Sequence, residues 1–212
     1  MNVPTREQMR KALENRCGKE SLQKLEKATA AICGLGGLGS NIAISLARAG
    51  VGRLILIDFD KVDISNLHRQ QYKAGQVGMN KTDALRENLK EISPYIELIT
   101  HNIRVSEENF MELLGEADVI LEAFDNAEAK AMLVNGVLEN LPDKYLIAAS
   151  GMAGFGSANS IKTRRVSKRF YLCGDGVSDV ADDIGLVSSR VMLCAAHEAH
   201  MAVRILTDEF EV

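Results

Sequence analysis

The 212-residue chain has no apolar run approaching the roughly 20 residues needed to span a bilayer, so no membrane-spanning helix is expected. No basic, apolar and then small-residue segment opens it, so export is not expected and a cytoplasmic location is. Its four cysteines, at 17, 33, 173 and 194, form no CxxC pair. They read as reduced thiols, not as a disulfide framework or a zinc cluster. Charge of one sign is scarce too: 25 Lys and Arg against 29 Asp and Glu leave a net charge of −4. That balance argues against broad binding to nucleic acid or to an anionic membrane surface and leaves room only for a local basic patch. Internal repeats and low-complexity tracts are absent as well.

The apolar content of 46% and charged content of 25% are those of an ordinary globular protein. A length of 212 residues suits one domain over 1–212. Residues 1–28 are polar with helical spacing (Met9, Leu13, Leu22, Leu25) and a break at Gly18, which predicts two short helices forming an N-terminal arm. Short apolar runs over 30–33, 53–57, 96–101, 119–123 and 145–149 read as buried parallel strands, with a further strand over 160–163. Helices are expected over 41–48, 82–92, 127–139 and 187–206. Another should start at a Ser106 cap, with Glu107 and Glu108 in its first turn, and run to Leu114. The Gly- and Asp-rich stretch 173–183 is expected to be a loop. Strands alternating with helices predict an α/β, Rossmann-like doubly wound and mostly parallel sheet with helices on both faces.

The first chemical signal is Gly34-x-Gly36-x-x-Gly39, between a strand and a helix. Its glycines allow a tight turn and close approach of a phosphate, and the helix start offers free N–H donors and partial positive charge. Asp58 closes the second strand, where a carboxylate can accept both ribose hydroxyl protons. To this point an NAD(P)-dependent oxidoreductase would look the same. Asn66, Arg69 and Gln70 in the following loop shift the balance, because an enzyme that directs attack on the α-phosphate of ATP must compensate growing charge with positioned cations and donors. Lys81 could supply a second cation. Asp125 ends the fourth strand, where open α/β sheets hold their ligands, and a carboxylate beside a triphosphate suits a magnesium ligand.

Together G-L-G-G-L-G-S at 34–40, D-F-D-K-V-D-I-S-N-L-H-R-Q at 58–70, Gly78-Met79-Asn80-Lys81 and Phe124-Asp125-Asn126 resemble the ubiquitin-like-protein activating enzymes, in their bacterial ThiF/MoeB/HesA branch. The resemblance runs from about Leu25 to Leu206. It implies ATP-dependent adenylation of the C-terminal Gly-Gly carboxylate of a small ubiquitin-fold carrier, with release of pyrophosphate. It also implies that Gly37, Asp58, Asn66, Arg69, Gln70, Lys81, Asp125 and Asn126 surround ATP and Mg2+. Asp58 would take the ribose, Arg69 and Lys81 the phosphates, and Asp125 the metal. A carboxylate is already an adequate nucleophile, so such a site requires alignment and charge compensation and neither a serine–histidine pair nor an activated cysteine. The glycine-rich stretch 151–157 could leave room for a diglycine tail, or be a plain crossover.

The chain also departs from that family. Longer relatives hold a structural zinc with two CxxC pairs; here only Cys173 stands in that region, so no zinc is expected. His197 and His200 are three residues apart, not the four of H-E-x-x-H, and read as ordinary helix residues. An arginine given across a homodimer interface has no clear counterpart; Arg6, Arg10 and Arg16 are candidates. Cys173, on its expected loop, is the one candidate for a sulfur-accepting thiol and reads more readily as inert. The short outline resembles most the compact ThiF variety, tied to thiamine biosynthesis with a ThiS-type sulfur carrier. The basic run Lys162, Arg164, Arg165, Lys168 and Arg169 could be a solvated face, meet an acidic carrier, or meet tRNA. The last would suit a tRNA threonylcarbamoyladenosine dehydratase of the same superfamily, and a nucleotide-binding scaffold without catalysis is also open.

Overall fold

The computed structural model describes residues 3–179 and 184–212. Two helices, α1 (Arg6–Cys17) and α2 (Lys19–Lys27), meet at Gly18. Thr5 caps α1 in a reciprocal box with Gln8. α1 buries none of its residues, whereas α2 seats Leu22 and Leu25 in the core. The alternating region follows as β1 (Thr29–Cys33), α3 (Gly37–Ala49), β2 (Arg53–Ile57), α4 (Lys81–Ile92), β3 (Glu97–His101), α5 (Phe110–Leu114), β4 (Val119–Glu122), α6 (Ala127–Asn140) and β5 (Tyr145–Ala149). β6 (Lys162–Arg165), β7 (Phe170–Gly174) and α7 (Ser188–Leu206) complete the chain.

The seven strands lie in the order β3-β2-β1-β4-β5-β7-β6. All neighbours pair in parallel except β6, which runs antiparallel to β7 at the edge. This is the expected mostly parallel, doubly wound sheet. Alternate strand residues face two cores. Ile32, Leu54, Leu121 and Ile147 pack toward α3, α4 and α7; Ala31, Ile55, Ile120 and Leu146 pack toward α5 and α6. Burial on both faces is why these strands read as unbroken apolar runs.

Three expectations change. The strand placed at 160–163 lies at Lys162–Arg165. Its sequence, K-T-R-R, has one face open at a sheet edge, so hydrophobicity could not fix its register. The stretch expected to be a loop from 173 begins inside β7, so Cys173 is a buried strand residue paired with Thr163; 180–183 of that stretch lie outside the described residues. The helix expected from Ser106 starts only at Phe110. The Ser106 hydroxyl donates to the Glu108 carboxylate and its N–H to Asn109 Oδ1, which closes a turn where the first helical turn was expected.

Candidate active site

The strand order reverses between β1 and β4, and the glycine loop sits at that switch. Gly34 has φ +92°, and a Cβ there would stand 2.7 Å from the Ala123 carbonyl oxygen, so only glycine brings the two strand ends this close. At Gly39 a Cβ would lie 1.8 Å from the Gly34 oxygen, which lets α3 start directly against the loop. α3 begins without a side-chain cap. Its N-terminus therefore faces the site with N–H donors and the positive end of its dipole.

Asp58 is 8% exposed at the end of β2. Its Oδ2 accepts the Leu35 N–H at 2.6 Å and its Oδ1 the Asp60 N–H at 2.7 Å. Burial pushes this carboxyl above its ordinary value, against the pull of Lys81 and of the two backbone donors. Each oxygen keeps a lone pair that a ribose hydroxyl could use. Lys81 opens α4, is buried, and reaches Asp60 at 2.9 Å and Asp58 at 3.9 Å. It thus stands in the corner formed by Asp58 and Asp60. Asp60, a partner sequence reading did not single out, shares it.

The loop after β2 is stitched to the first turn of α3. Gln71 N–H donates to Ser40 Oγ at 3.1 Å, and the Asn41 amide donates to the carbonyls of Gly37 at 2.6 Å and Arg69 at 3.2 Å. Tyr72 OH donates to the Leu35 carbonyl at 2.7 Å. None of Ser40, Asn41, Gln71 and Tyr72 was anticipated; their side chains shape the loop from behind, and no motif spacing announces that. In front, the Arg69 stem crosses Gly37, where a Cβ would be 3.5 Å from Arg69 Cγ. Burial lowers the Arg69 guanidinium and the negative charge of Asp125 opposes that, so the two side chains are within electrostatic reach of each other. Gln70 is buried beside Gly36, and its Oε1 has no hydrogen-bond partner among the described residues. Asn66 accepts the Arg69 and Gln70 N–H groups with its carbonyl, and among the described residues its amide makes only a long contact to Ser65.

Asp125 is exposed and has no hydrogen bond among the described residues. The next residue, Asn126, caps α6 by accepting the Ala129 N–H at 2.8 Å. Magnesium fits Asp125 chemically, since that ion takes one or two carboxylates plus phosphate oxygens and keeps several waters. Gly34, Gly36, Gly37, Gly39, Asp58, Asn66, Arg69, Gln70, Lys81 and Asp125 thus converge at one end of the sheet. Arg6, Arg10 and Arg16 do not. They line a cleft of about 930 Å³ with Arg53 and Glu97, at the opposite ends of β2 and β3. Cys173 is buried, and that burial pushes its thiol up to about 12. Of the basic run, Arg165 pairs with Glu211 and Arg169 lies over the Tyr145 ring, which leaves Lys162, Arg164 and Lys168 on the open face.

A profile described as "ThiF family" matches residues 9–209. The Aedes aegypti "Adenylyltransferase and sulfurtransferase MOCS3" is 32% identical over 144 residues, 68% of this chain and 32% of that protein. The Bacillus subtilis "tRNA threonylcarbamoyladenosine dehydratase" is 34% identical over 153 residues, 71% of this chain and 59% of that protein. The chain therefore spans about a third of the first relative and under two thirds of the second. Among solved structures, Escherichia coli tRNA N6-threonylcarbamoyladenosine dehydratase in complex with ATP superposes with a TM-score of 0.87 over 98% of both chains, at 20% identity. That likeness shows the fold.

Proposed function

The chain belongs to the ThiF family, and from that premise we propose that it uses ATP to adenylate the C-terminal carboxylate of a small ubiquitin-fold carrier ending in Gly-Gly. The observation that carries this reading is the Arg69 side chain lying against Gly37 at the uncapped start of α3, with Asp125 within its electrostatic reach. A cation, a free carboxylate and a row of N–H donors around one point suit an α-phosphate under attack better than a nicotinamide. The NAD(P)-dependent alternative is set aside on that ground and by the family membership.

In this reading Asp58 orients the ribose, and Gly36, Gly37 and the α3 N-terminus cradle the phosphates. Arg69 compensates the charge that builds on the α-phosphate oxygens, with Asn66 and Gln70 as further donors. Lys81 reaches a phosphate only by leaving Asp60, its partner here. Asp125 would hold Mg2+, which when bound neutralises phosphate charge. The carrier's terminal oxygen forms the new bond to phosphorus as the bond to pyrophosphate breaks. A ThiS-type sulfur carrier of thiamine biosynthesis is the specific substrate we propose. A homodimer belongs to the same reading: within one chain Arg6, Arg10 and Arg16 are at the wrong end of the sheet, so an N-terminal arginine could reach ATP only in another copy.

The test is ATP–pyrophosphate exchange with recombinant ThiS-type carrier. Exchange that depends on the carrier and is lost when its last glycine is removed supports the proposal. A second reading, a tRNA dehydratase, is favoured by the likeness to the Bacillus relative. It would show ATP consumption dependent on modified tRNA and binding that weakens steeply with salt. The same assay with tRNA in place of carrier separates the two.

A further inference from the structure

Arg190 stands in the first turn of α7, where the helix is otherwise mostly small or apolar, and is only 6% exposed. Arginine is rarely buried this far unless its donors are matched. Here all five are. Nε donates to the Ala153 carbonyl at 3.1 Å; Nη1 donates to the carbonyls of Gly156 at 2.7 Å and Ser157 at 2.8 Å. Nη2 donates to Ser160 Oγ at 3.2 Å and pairs with the Asp175 carboxylate.

Asp175 fastens the opposite side. Its carboxylate accepts the N–H groups of Val177 and Ser178 at 2.9 Å, and its own N–H donates to the Gly151 carbonyl at 2.9 Å. Gly176 N–H donates to the Ser150 carbonyl at 2.9 Å. The loop over 151–157 is therefore pinned from both flanks, although none of its residues belongs to a strand or helix. Phe155, between two glycines at its tip, is held out with 87% of its surface exposed.

The residue after Arg190 grips the other half of the site. A Cβ on Gly37 would be 2.8 Å from Val191 Cγ1. Consecutive residues of one rigid helix thus hold the phosphate loop and the 151–157 loop in fixed relation. We propose that Arg190 is a positioning residue for the acceptor, setting the 151–157 loop so that an incoming peptide tail meets the α-phosphate in line. This deepens, and rests on, the carrier reading above. Adenylation gains most of its rate from such alignment, with reacting atoms about 3–3.5 Å apart. Lysine cannot substitute, since its three donors radiate from one point and cannot fork to five separated acceptors.

The test uses the full chain with ATP and recombinant ThiS-type carrier. Arg190→Lys keeps the charge opposite Asp175 and so guards against unfolding. It should leave ATP affinity by calorimetry within about twofold and raise the KM for carrier about tenfold, with faster amide exchange over 151–157. Arg190→Ala should be worse than Arg190→Lys in carrier KM. Phe155→Ala, on the surface, should raise the carrier KM with the amide protection unchanged. An Arg190→Lys protein with wild-type carrier KM and wild-type protection overturns the proposal. So does one whose ATP and carrier affinities fall in step, the signature of a latch that serves folding alone. Wild-type protein with no carrier-dependent exchange overturns the carrier reading and this proposal together, whereas an active wild type with an indifferent Arg190→Lys overturns this proposal alone.

Discussion

Val191 of α7 rests on Gly37 of α3 so tightly that a Cβ built on the glycine would be 2.8 Å from Val191 Cγ1, while Arg69 flanks the other side at 3.5 Å. α7 is thus part of the wall of the glycine loop, although the two lie far apart in sequence. Valine in a helix has essentially one χ1 choice, so it cannot swing away.

Gly37→Ala should therefore gain the helix propensity of alanine and still lose overall, since overpacking costs about 1–3 kcal/mol. ATP affinity, followed by thermal shift or calorimetry, should fall about tenfold as the start of α3 is displaced. Adding Val191→Ala makes room, and the double variant should recover most of that loss, a coupling expected of residues in contact. Equal ATP affinity in Gly37→Ala and wild type would mean that the loop yields freely at this point.

Much of this site was legible in the sequence because its residues act through spacing. Gly34, Gly36, Gly39 and Asp58 are set by a strand, a turn and a second strand, and the chain carries them to one place. Asn66, Arg69 and Gln70 lie on one short loop. What escaped was everything that depends on tertiary meeting. Asp60 was passed over because a second acid beside Asp58 has no meaning until Lys81 folds between them. Nothing in the sequence singled out Arg190 within the expected helix, and β7 was hidden by the Gly-Asp-Gly turn that begins at its end. Cys173 read as a loop thiol for the same reason.

Asp125→Ala should leave the fold intact, because the side chain is exposed and has no hydrogen bond among the described residues. Its melting temperature should stay close to that of wild type, as surface changes usually fall within about 0.5 kcal/mol. Carrier-dependent exchange should nevertheless fall about a hundredfold or more, through loss of the proposed metal ligand and of the negative charge opposite Arg69. Near-normal exchange at saturating magnesium would show that the carboxylate has no part in the chemistry.

The cysteines divide sharply by environment. Cys17 is exposed, whereas Cys33, Cys173 and Cys194 are buried. Burial pushes the Cys173 thiol up to about 12, so it is protonated at neutral pH and a poor nucleophile. A thiol-specific chromophore should label Cys17 quickly in native protein and the others only on unfolding. Cys173→Ala should keep full adenylation with a modest stability loss. A large drop in exchange with an unchanged fold would assign that sulfur a role it lacks here.

Glu198 on α7 is fully buried, and neither carboxylate oxygen has a hydrogen-bond partner among the described residues. Burial raises its carboxyl well above the ordinary 4.5; Glu122 on β4 adds to that rise and Lys130 on α6 opposes it. Cys173 of β7 and Cys194 of its own helix are also within electrostatic reach. Glu122 keeps Lys130 as its direct ion-pair partner, so Glu198 gains little from it. The sign follows from proton linkage. Between about 4.5 and the raised folded value, the folded state binds a proton that the unfolded state has released. Stability is therefore full below the unfolded value and declines as pH rises through that window, by up to about 1.4 kcal/mol per pH unit. Glu198→Gln keeps the shape and cannot titrate. Melting curves of the two proteins should draw apart progressively as pH rises from 5 to 9, with the variant increasingly the more stable. Parallel curves from pH 5 to 9 would mean that Glu198 is ionised in the folded protein with a compensating partner, and the unpaired burial of this carboxyl would be wrong.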